Sequence, residues 1–330
     1  MCMVSISFTM IGCNINNAKS DLPTETSHST KIDTEQPQAD NRKTSSSSTE
    51  SDIPNTSEDI PTASLIDASG MTLESRIRTP DGYTRTSEDT GSLAEFLRNY
   101  AMKEDQSPVL LYDGSEKGNQ NAHVAVFDLP IEAEDLQQCA DSVIRVYAEY
   151  FWSTGQYDRI AFHFTSGFDA QYTKWADGYR IQVDGNNVSW TKSAQPDTSY
   201  ECFQKYLRMV FTYAGTASMD TEAEPIALSD IQVGDVFLKG GHPGHVVMIV
   251  DLCENASGKK AFLLAQGYMP AQQFHVLKNP AHEDDPWYYE DEVTYPFRTP
   301  EYTFDESSLK TLDYLKYGTK NPGAGTPGFF

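Results

Sequence analysis

Two polar residues in the C-terminal half of the 330-residue sequence lie where a predicted sheet meets its loops. His245 opens the apolar run 246–250, and Gln266 ends the run 261–266, which returns after a turn. Continuous apolar runs of this kind are typical of strands buried on both faces. A rigid sheet holds the polar groups at its loop ends in place, so His245 could act as a base that Gln266 orients. In the structural alternative, His245 closes a turn and Gln266 satisfies backbone groups at a strand end.

Three cysteines in the body of the chain could supply a nucleophile for this histidine: Cys139, Cys202 and Cys253. A thiol loses its proton most readily at a helix N-terminus beside a histidine. Cys139 lies near the start of the helix predicted over 133–152, and Cys202 lies in the first turn of the helix predicted over 198–214, so these two are rival candidates. Cys253 follows a strand and has no helix dipole to assist it. For each cysteine, a buried structural thiol is the alternative.

With either cysteine, the predicted chemistry is acyl transfer. The thiolate attacks an amide carbonyl, His245 protonates the leaving amine, and water releases the acyl-enzyme. Backbone N–H groups near the cysteine would hold the oxyanion, and Gln266 would fix the tautomer of the imidazole. A metal alternative uses His242 and His245 with Asp235 and Asp251, but these histidines share a Gly–Pro loop and no HExxH motif occurs. We therefore predict neither a metal nor another cofactor.

The order of these features resembles that of the NlpC-type, papain-like cell-wall peptidases. In that family a Cys at a helix start is the nucleophile, a His is its base, and a polar residue on the next strand orients the His. The strand GDVFL, the glycine-rich loop, His245 and Gln266 match this order over about residues 200–266. By chain order the resemblance implies Cys202 as the nucleophile, although its detailed register places Phe203 there. With Phe203 in the site, the domain would be a degenerate, non-catalytic relative.

A longer resemblance spans about residues 74–306. The segments LYDG, DLQQCADS, FHFTSGF, YTKW, YLRMVFTYAGTAS, GDVFLKGGHPGHVVMIVD, LLAQGYMPAQ and LKNP resemble a family of Bacteroidetes-type lipoproteins defined by a numbered domain of unknown function, DUF4846. This resemblance implies that the matched region is one folded unit and that the protein carries a lipid anchor. It implies no established activity and no assigned catalytic residue.

The N-terminal region is predicted to be a signal peptide followed by a tether. The apolar run 3–12 is far shorter than the roughly 20 residues of a membrane-spanning helix. The tetrapeptide MIGC that ends at Cys13 resembles a lipobox, in which the cysteine is lipidated, although Met replaces the usual Leu and no Lys or Arg precedes the run. The following segment is too polar to bury a core. We predict a signal peptide over 1–13, a disordered tether over 14–69, one globular domain over 70–317 with an NlpC-like part over about 198–275, and a loose tail over 318–330.

Composition and pattern predict an α+β fold with a mainly antiparallel sheet and packed helices, of NlpC or papain-like character. Eighteen Tyr, sixteen Phe and four Trp are ample for a sizeable core. Helices are predicted over 92–100, 133–152 and 198–214, the last ended by Gly215 as a C-cap. The segment 279–304 mixes aromatic, acidic and proline residues. It is either a strap that packs its rings on the core or an exposed aromatic platform for a sugar or peptide.

These observations predict a lipoprotein of the cell envelope, anchored by lipid at the outer membrane or the periplasmic face. Its predicted activity is that of a thiol hydrolase or amidase on peptidoglycan-type peptides. Its predicted partners are the membrane, through the anchor, and cell-wall peptide or glycan. A net charge of −23 opposes nucleic acid as a partner, because phosphates require Lys and Arg. The alternative function is a non-catalytic envelope lipoprotein that binds a glycan or peptide in a degenerate NlpC-like cleft.

Overall fold

The strand predicted after His245 lies in the middle of the main sheet in the computed structural model, which describes residues 64–314. Residues 245–253 of this strand are all buried, as their apolar run predicts. The strands of the described region are, in chain order, β1 (Tyr83–Arg85), β2 (His123–Val126), β3 (Ala161–His163), β4 (Asp169–Gln171), β5 (Tyr179–Asp184), β6 (Asn187–Lys192), β7 (Ala223–Pro225), β8 (Val236–Lys239), β9 (His245–Asn255), β10 (Lys260–Gln266), β11 (His275–Leu277), β12 (Tyr288–Tyr289), β13 (Phe297–Arg298), β14 (Thr303–Phe304) and β15 (Leu309–Leu312).

One nine-stranded sheet organises residues 64–314, and all of its pairings are antiparallel. Its order is β2-β11-β10-β9-β8-β15-β7, with β1 also paired to β9 and β12 also paired to β10. The remaining strands form three two-stranded hairpins, β3–β4, β5–β6 and β13–β14. The prediction of a mainly antiparallel sheet with packed helices is therefore confirmed at this level.

Six α-helices lie in the described part of the chain, and two of them are long enough to pack as layers. They are α1 (Leu73–Arg76), α2 (Leu93–Arg98), α3 (Cys139–Ser153), α4 (Tyr172–Ala176), α5 (Tyr200–Tyr213) and α6 (Thr216–Thr221). Helix α3 packs against β9 and β10, and α5 packs against α3 and α4. The Tyr147 hydroxyl donates to the Gly234 carbonyl oxygen at 2.8 Å, which ties α3 to the turn that leads into β8. None of these helices has the length and apolar character needed to cross a membrane.

Both long helices differ from their predicted bounds. Helix α3 begins at Cys139, six residues after the predicted start at 133, and the Asp141 carboxylate accepts from the Gln138 backbone N–H at 3.0 Å across its first turn. Cys139 is therefore the first residue of the helix. The predicted C-cap at Gly215 was wrong: its backbone is extended, with φ of 169°, and it is the N-cap residue of α6. Its N–H donates to the Ser218 hydroxyl at 3.1 Å.

The aromatic segment 279–304 packs as a strap over the sheet. Trp287, Tyr288, Phe297 and Phe304 are buried, whereas Tyr295 is exposed. The Trp287 indole N–H donates to the Arg78 carbonyl oxygen at 2.8 Å. Most of the rings are thus part of the core rather than an exposed platform.

Ordered contacts begin before residue 70. Ile66 forms a β-bridge with Ile77, and Asp67 forms an ion pair with Arg78 at 2.6 Å. The folded region therefore includes the last six residues assigned by sequence to the tether. The predicted signal peptide, the lipidation site Cys13, the rest of the tether and the tail over 318–330 lie outside the described residues.

Candidate active site

His245 and Gln266 meet at one end of the main sheet. The His245 Nε2 atom lies 2.7 Å from the Gln266 Oε1 atom. His245 is the first residue of β9 and Gln266 the last of β10, and the antiparallel pairing of these strands brings the two side chains together. Both side chains are buried. An amide oxygen can only accept, so His245 donates its Nε2–H and its Nδ1 atom is the proton acceptor of the ring.

Cys139 is the cysteine that reaches this end of the sheet. Its sulfur is faced by the backbone N–H groups of Cys139, Ala140 and Val246, and Val246 directly follows His245 in β9. Cys139 is 7 % exposed. Burial raises its pKa to about 11, the neighbouring Asp141 adds to the rise, and the three N–H groups oppose it. In the resting protein the thiol therefore keeps its proton at neutral pH.

Gly267 allows a close approach between the first turn of α3 and the end of β10. A Cβ atom on Gly267, directly after β10, would lie 2.2 Å from the Ser142 Oγ atom and 3.1 Å from the Gln138 carbonyl oxygen. The Ser142 hydroxyl donates to that same carbonyl at 2.8 Å. Any side chain at 267 would push the helix start away from Gln266. The local sequence thus sets the separation between the nucleophile candidate and the pair on the sheet.

Aromatic rings cover the imidazole. The ring of His245 lies 4.6 Å from the Tyr268 ring, 4.8 Å from the Tyr302 ring and 6.1 Å from the Phe304 ring, measured between centroids. Burial lowers the pKa of His245 to about 4, the Gln266 hydrogen bond opposes this change, and Lys117 adds to it. Cys139 and His245 are therefore both neutral in the resting state, as thiol and imidazole.

The rival cysteine lies in a different environment. Cys202 is the third residue of α5, where its backbone N–H donates to the Ser199 hydroxyl at 3.2 Å, and its buried thiol lies beside Trp175. Burial raises the pKa of this thiol too. Phe203 does not occupy the His245 site, because its ring stacks on Trp152 at 5.6 Å between centroids. Cys253 is buried in β9, and burial raises its pKa to about 12.

The residues of the metal alternative are separated by their own contacts. Asp251 is completely buried and forms ion pairs of 2.7 Å with Arg85 and with Arg98. Asp235 accepts from the Gln232 backbone N–H at 2.7 Å, and His242 is exposed on its loop. Across residues 64–314, no cluster of three or more His, Cys, Asp or Glu side chains is arranged to hold a metal ion.

Sequence reasoning missed a polar network behind the His–Gln pair. The Gln266 Nε2 atom donates to Glu301 at 2.7 Å, and Glu301 forms an ion pair with Lys117. Lys117 also lies 3.4 Å from the His275 Nε2 atom. Lys117 and Glu301 are separated by 184 positions and belong to irregular segments, so no periodicity connects them. The only sequence signal for this network is His275. It opens β11, the strand that pairs with the end of β10, and is the cross-strand neighbour of Gln266.

One comparison with known proteins, a family model, matches most of the described region. A family model described as "Domain of unknown function (4846)" matches residues 73–311. The match runs from the start of α1 into β15 and includes Cys139, His245 and Gln266. No curated protein and no solved structure matches the chain.

Proposed function

The chain belongs to the family of domain of unknown function 4846, and we propose from the geometry of its site that it is a thiol hydrolase or amidase of the cell envelope. One observation carries the proposal: the first residue of α3 is a thiol that faces the backbone N–H of Val246, the residue directly after an imidazole whose Nε2 atom an amide holds. These are the parts of a thiol-dependent acyl-transfer site. The arrangement also supports an NlpC-like, papain-like character, with Cys139 rather than Cys202 as the nucleophile.

The proposed reaction begins with a neutral pair. The Cys139 sulfur attacks an amide carbonyl while its proton passes to His245 Nδ1, so a C–S bond forms and the carbonyl oxygen becomes an oxyanion. Backbone N–H groups at the start of α3 hold the oxyanion. The imidazolium then protonates the departing amine and the C–N bond breaks. A water molecule, deprotonated by His245, hydrolyses the thioester and restores the thiol.

The substrate class follows from the proposed location. A lipid on Cys13, which precedes a long polar segment, would hold the folded region at the surface of a membrane in the envelope. Cell-wall peptides are the amides available there. The acidic surface, with a net charge of −23 over the chain, favours substrates that carry free amino groups over anionic polymers.

Site-specific alkylation tests the pair directly. The full chain is treated with iodoacetamide between pH 6 and 9, and each modified cysteine is located by peptide mass analysis. We expect Cys139 to react faster than Cys202 and Cys253 and to slow in the His245→Asn variant, because Asn cannot take the proton. Equal, slow rates at all three thiols, unchanged by the substitution, would falsify the proposal. Release of amines from cell-wall peptides is the second readout.

Binding without catalysis is the second candidate function, and the burial of the site favours it. Tyr268 and Tyr302 cover the imidazole, and the pKa of Cys139 is raised rather than lowered. A protein of this kind would bind a peptide or glycan in the cleft without turnover. Calorimetric titration with the same cell-wall peptides distinguishes the two functions, since binding that survives in Cys139→Ala without product formation in the parent supports the second.

A further inference from the structure

The amide of Gln266 has a different partner at each of its two ends. Its Oε1 atom faces His245 Nε2 at 2.7 Å, and its Nε2 atom faces the Glu301 carboxylate at 2.7 Å. A carboxylate only accepts, so it requires the NH₂ end of the amide on its side. The oxygen must then face the histidine. In the reversed orientation, the amide oxygen would face the carboxylate, and two acceptors would oppose each other.

Glu301 is itself fixed in place. It forms an ion pair with Lys117, and its Oε1 atom accepts from the Asn119 amide at 3.2 Å. The two charged side chains are only 7 % (Lys117) and 13 % (Glu301) exposed. Lys117 has a further acceptor in the Nε2 atom of His275, whose Nδ1–H donates to the Gln273 carbonyl oxygen at 2.8 Å. The network is therefore polarised in one direction, from buried cation to carboxylate to amide to imidazole.

We propose that Glu301 is a positioning residue that fixes the tautomer of His245 through Gln266. The inference rests on the proposed function, in which Nδ1 must be free of a proton to accept one from Cys139. Glu301 sets the orientation of the amide, the amide oxygen sets the proton on Nε2, and the other nitrogen is left as the base. Lys117 forms an ion pair with this carboxylate and so holds it in position beside Gln266. Without the carboxylate, both amide orientations become accessible, and the reversed one places the proton on Nδ1.

Two matched double variants isolate the acceptor at position 301 from the charge. Lys117→Met/Glu301→Gln and Lys117→Met/Glu301→Leu both remove the ion pair, so neither leaves a buried charge alone. They differ in one property: only Gln at 301 can still accept from Gln266. Glu301→Asp is a third variant, which keeps the charge opposite Lys117 but withdraws the carboxylate by one methylene. Glu306→Ala is the control, because Glu306 is an exposed carboxylate further along the same segment.

The first readout is the tautomer of His245 in the full chain labelled with ¹⁵N-histidine. Its two ring signals are identified as those that disappear in His245→Asn. We expect a protonated Nε2 and an unprotonated Nδ1 in the parent, in Glu306→Ala and in the Gln double variant. In the Leu double variant we expect a mixture of tautomers, and in Glu301→Asp a smaller admixture.

The second readout is the rate of Cys139 alkylation as a function of pH. One hydrogen bond corresponds to roughly a three- to tenfold change, so the Leu double variant should react slower than the Gln double variant by that factor. An unchanged His245 tautomer in both the Leu variant and Glu301→Asp overturns the proposal. If the tautomer responds but Cys139 never reacts in the parent, the positioning role stands and the hydrolase function fails.

Discussion

Two thiols occupy the first turns of the two longest helices in the described region, and their surroundings differ. Cys139 begins α3 where the helix meets the start of β9, next to the Val246 N–H. Cys202 lies in the first turn of α5, beside Trp175 in an aromatic cluster. Both thiols are buried and both have raised pKa values. The difference lies in the neighbours: one thiol faces the strand that His245 opens, and the other lies beside an indole. A position in the first turn of a helix therefore does not by itself bring a thiol to the end of the sheet where His245 and Gln266 meet.

The largest expected effect separates the two thiols by activity. Cys139→Ala removes the attacking atom, so hydrolysis of a cell-wall peptide should fall by roughly a thousandfold or more. Cys202→Ala should leave kcat/KM unchanged, because its sulfur contacts no part of the His245 site. The measurement is the rate of amine release at neutral pH for the parent and both variants.

Thermal unfolding of the same proteins is the control for this comparison. Both substitutions remove a buried thiol group and leave the Cβ atom as a methyl group, so both variants should lose a similar, modest amount of stability. A loss of activity in Cys202→Ala with native-like unfolding would transfer the nucleophile to α5. Full activity in Cys139→Ala would exclude any role for the α3 thiol.

Sequence patterns predicted the strands better than the helix starts. The unbroken apolar runs after His245 and before Gln266 required two buried neighbouring strands, and antiparallel pairing then brings the two ends together. The start of α3 was placed too early because the acidic residues at 134 and 135 resemble a first turn. Cys139 and Cys202 could not be separated, since the distinction depends on which helix packs against the sheet. That packing depends on Gly267, a contact between distant parts of the chain.

The network behind the pair could not be predicted for a related reason. Lys117 and Glu301 are far apart in sequence and lie in segments without regular structure. Their ion pair exists only because the strap and the loop before β2 meet at the same end of the sheet. Charged residues in such segments resemble ordinary solvated positions. Only their burial in the folded protein distinguishes them.

The second effect concerns the imidazole of His245, the residue directly before the Val246 N–H that faces Cys139. Burial lowers the pKa of His245 to about 4 in the folded state, against about 6.5 in the unfolded chain. Between these values the unfolded chain binds more protons, so stability falls as the pH falls from about 6.5 to 4. This shift corresponds to about 3 kcal/mol of unfolding free energy. His245→Asn should remove that part of the pH dependence, measured by urea unfolding at several pH values.

His163 provides a control, because its pKa is shifted in the opposite direction and its contribution to the pH dependence of stability has the opposite sign. Its Nδ1 atom lies 2.6 Å from the Glu222 carboxylate, and this hydrogen bond raises its pKa above the usual value. The folded state therefore binds the extra proton more tightly than the unfolded chain does. The stability from this pair is fully present below about pH 6.5 and is lost as the pH rises through the folded pKa. His163→Asn should remove a gain in stability at low pH, and an identical response of the two variants would mean that His245 is not buried in its neutral form.

The smallest expected effect tests how each helix start is held. Gly267→Ala places a Cβ atom 2.2 Å from the Ser142 hydroxyl oxygen, so the first turn of α3 must move. Overpacking of this kind costs about 1–3 kcal/mol, and we expect slower Cys139 alkylation as the thiol shifts away from the start of β9. Ser142→Gly in the same chain removes the clash and should restore part of both losses.

Ser199→Ala, which removes the N-cap of α5, should cost about 1 kcal/mol without changing Cys139 labelling, because that helix start does not touch the site. Equal changes in labelling in Gly267→Ala and Ser199→Ala would mean that labelling reports general loosening rather than the position of α3.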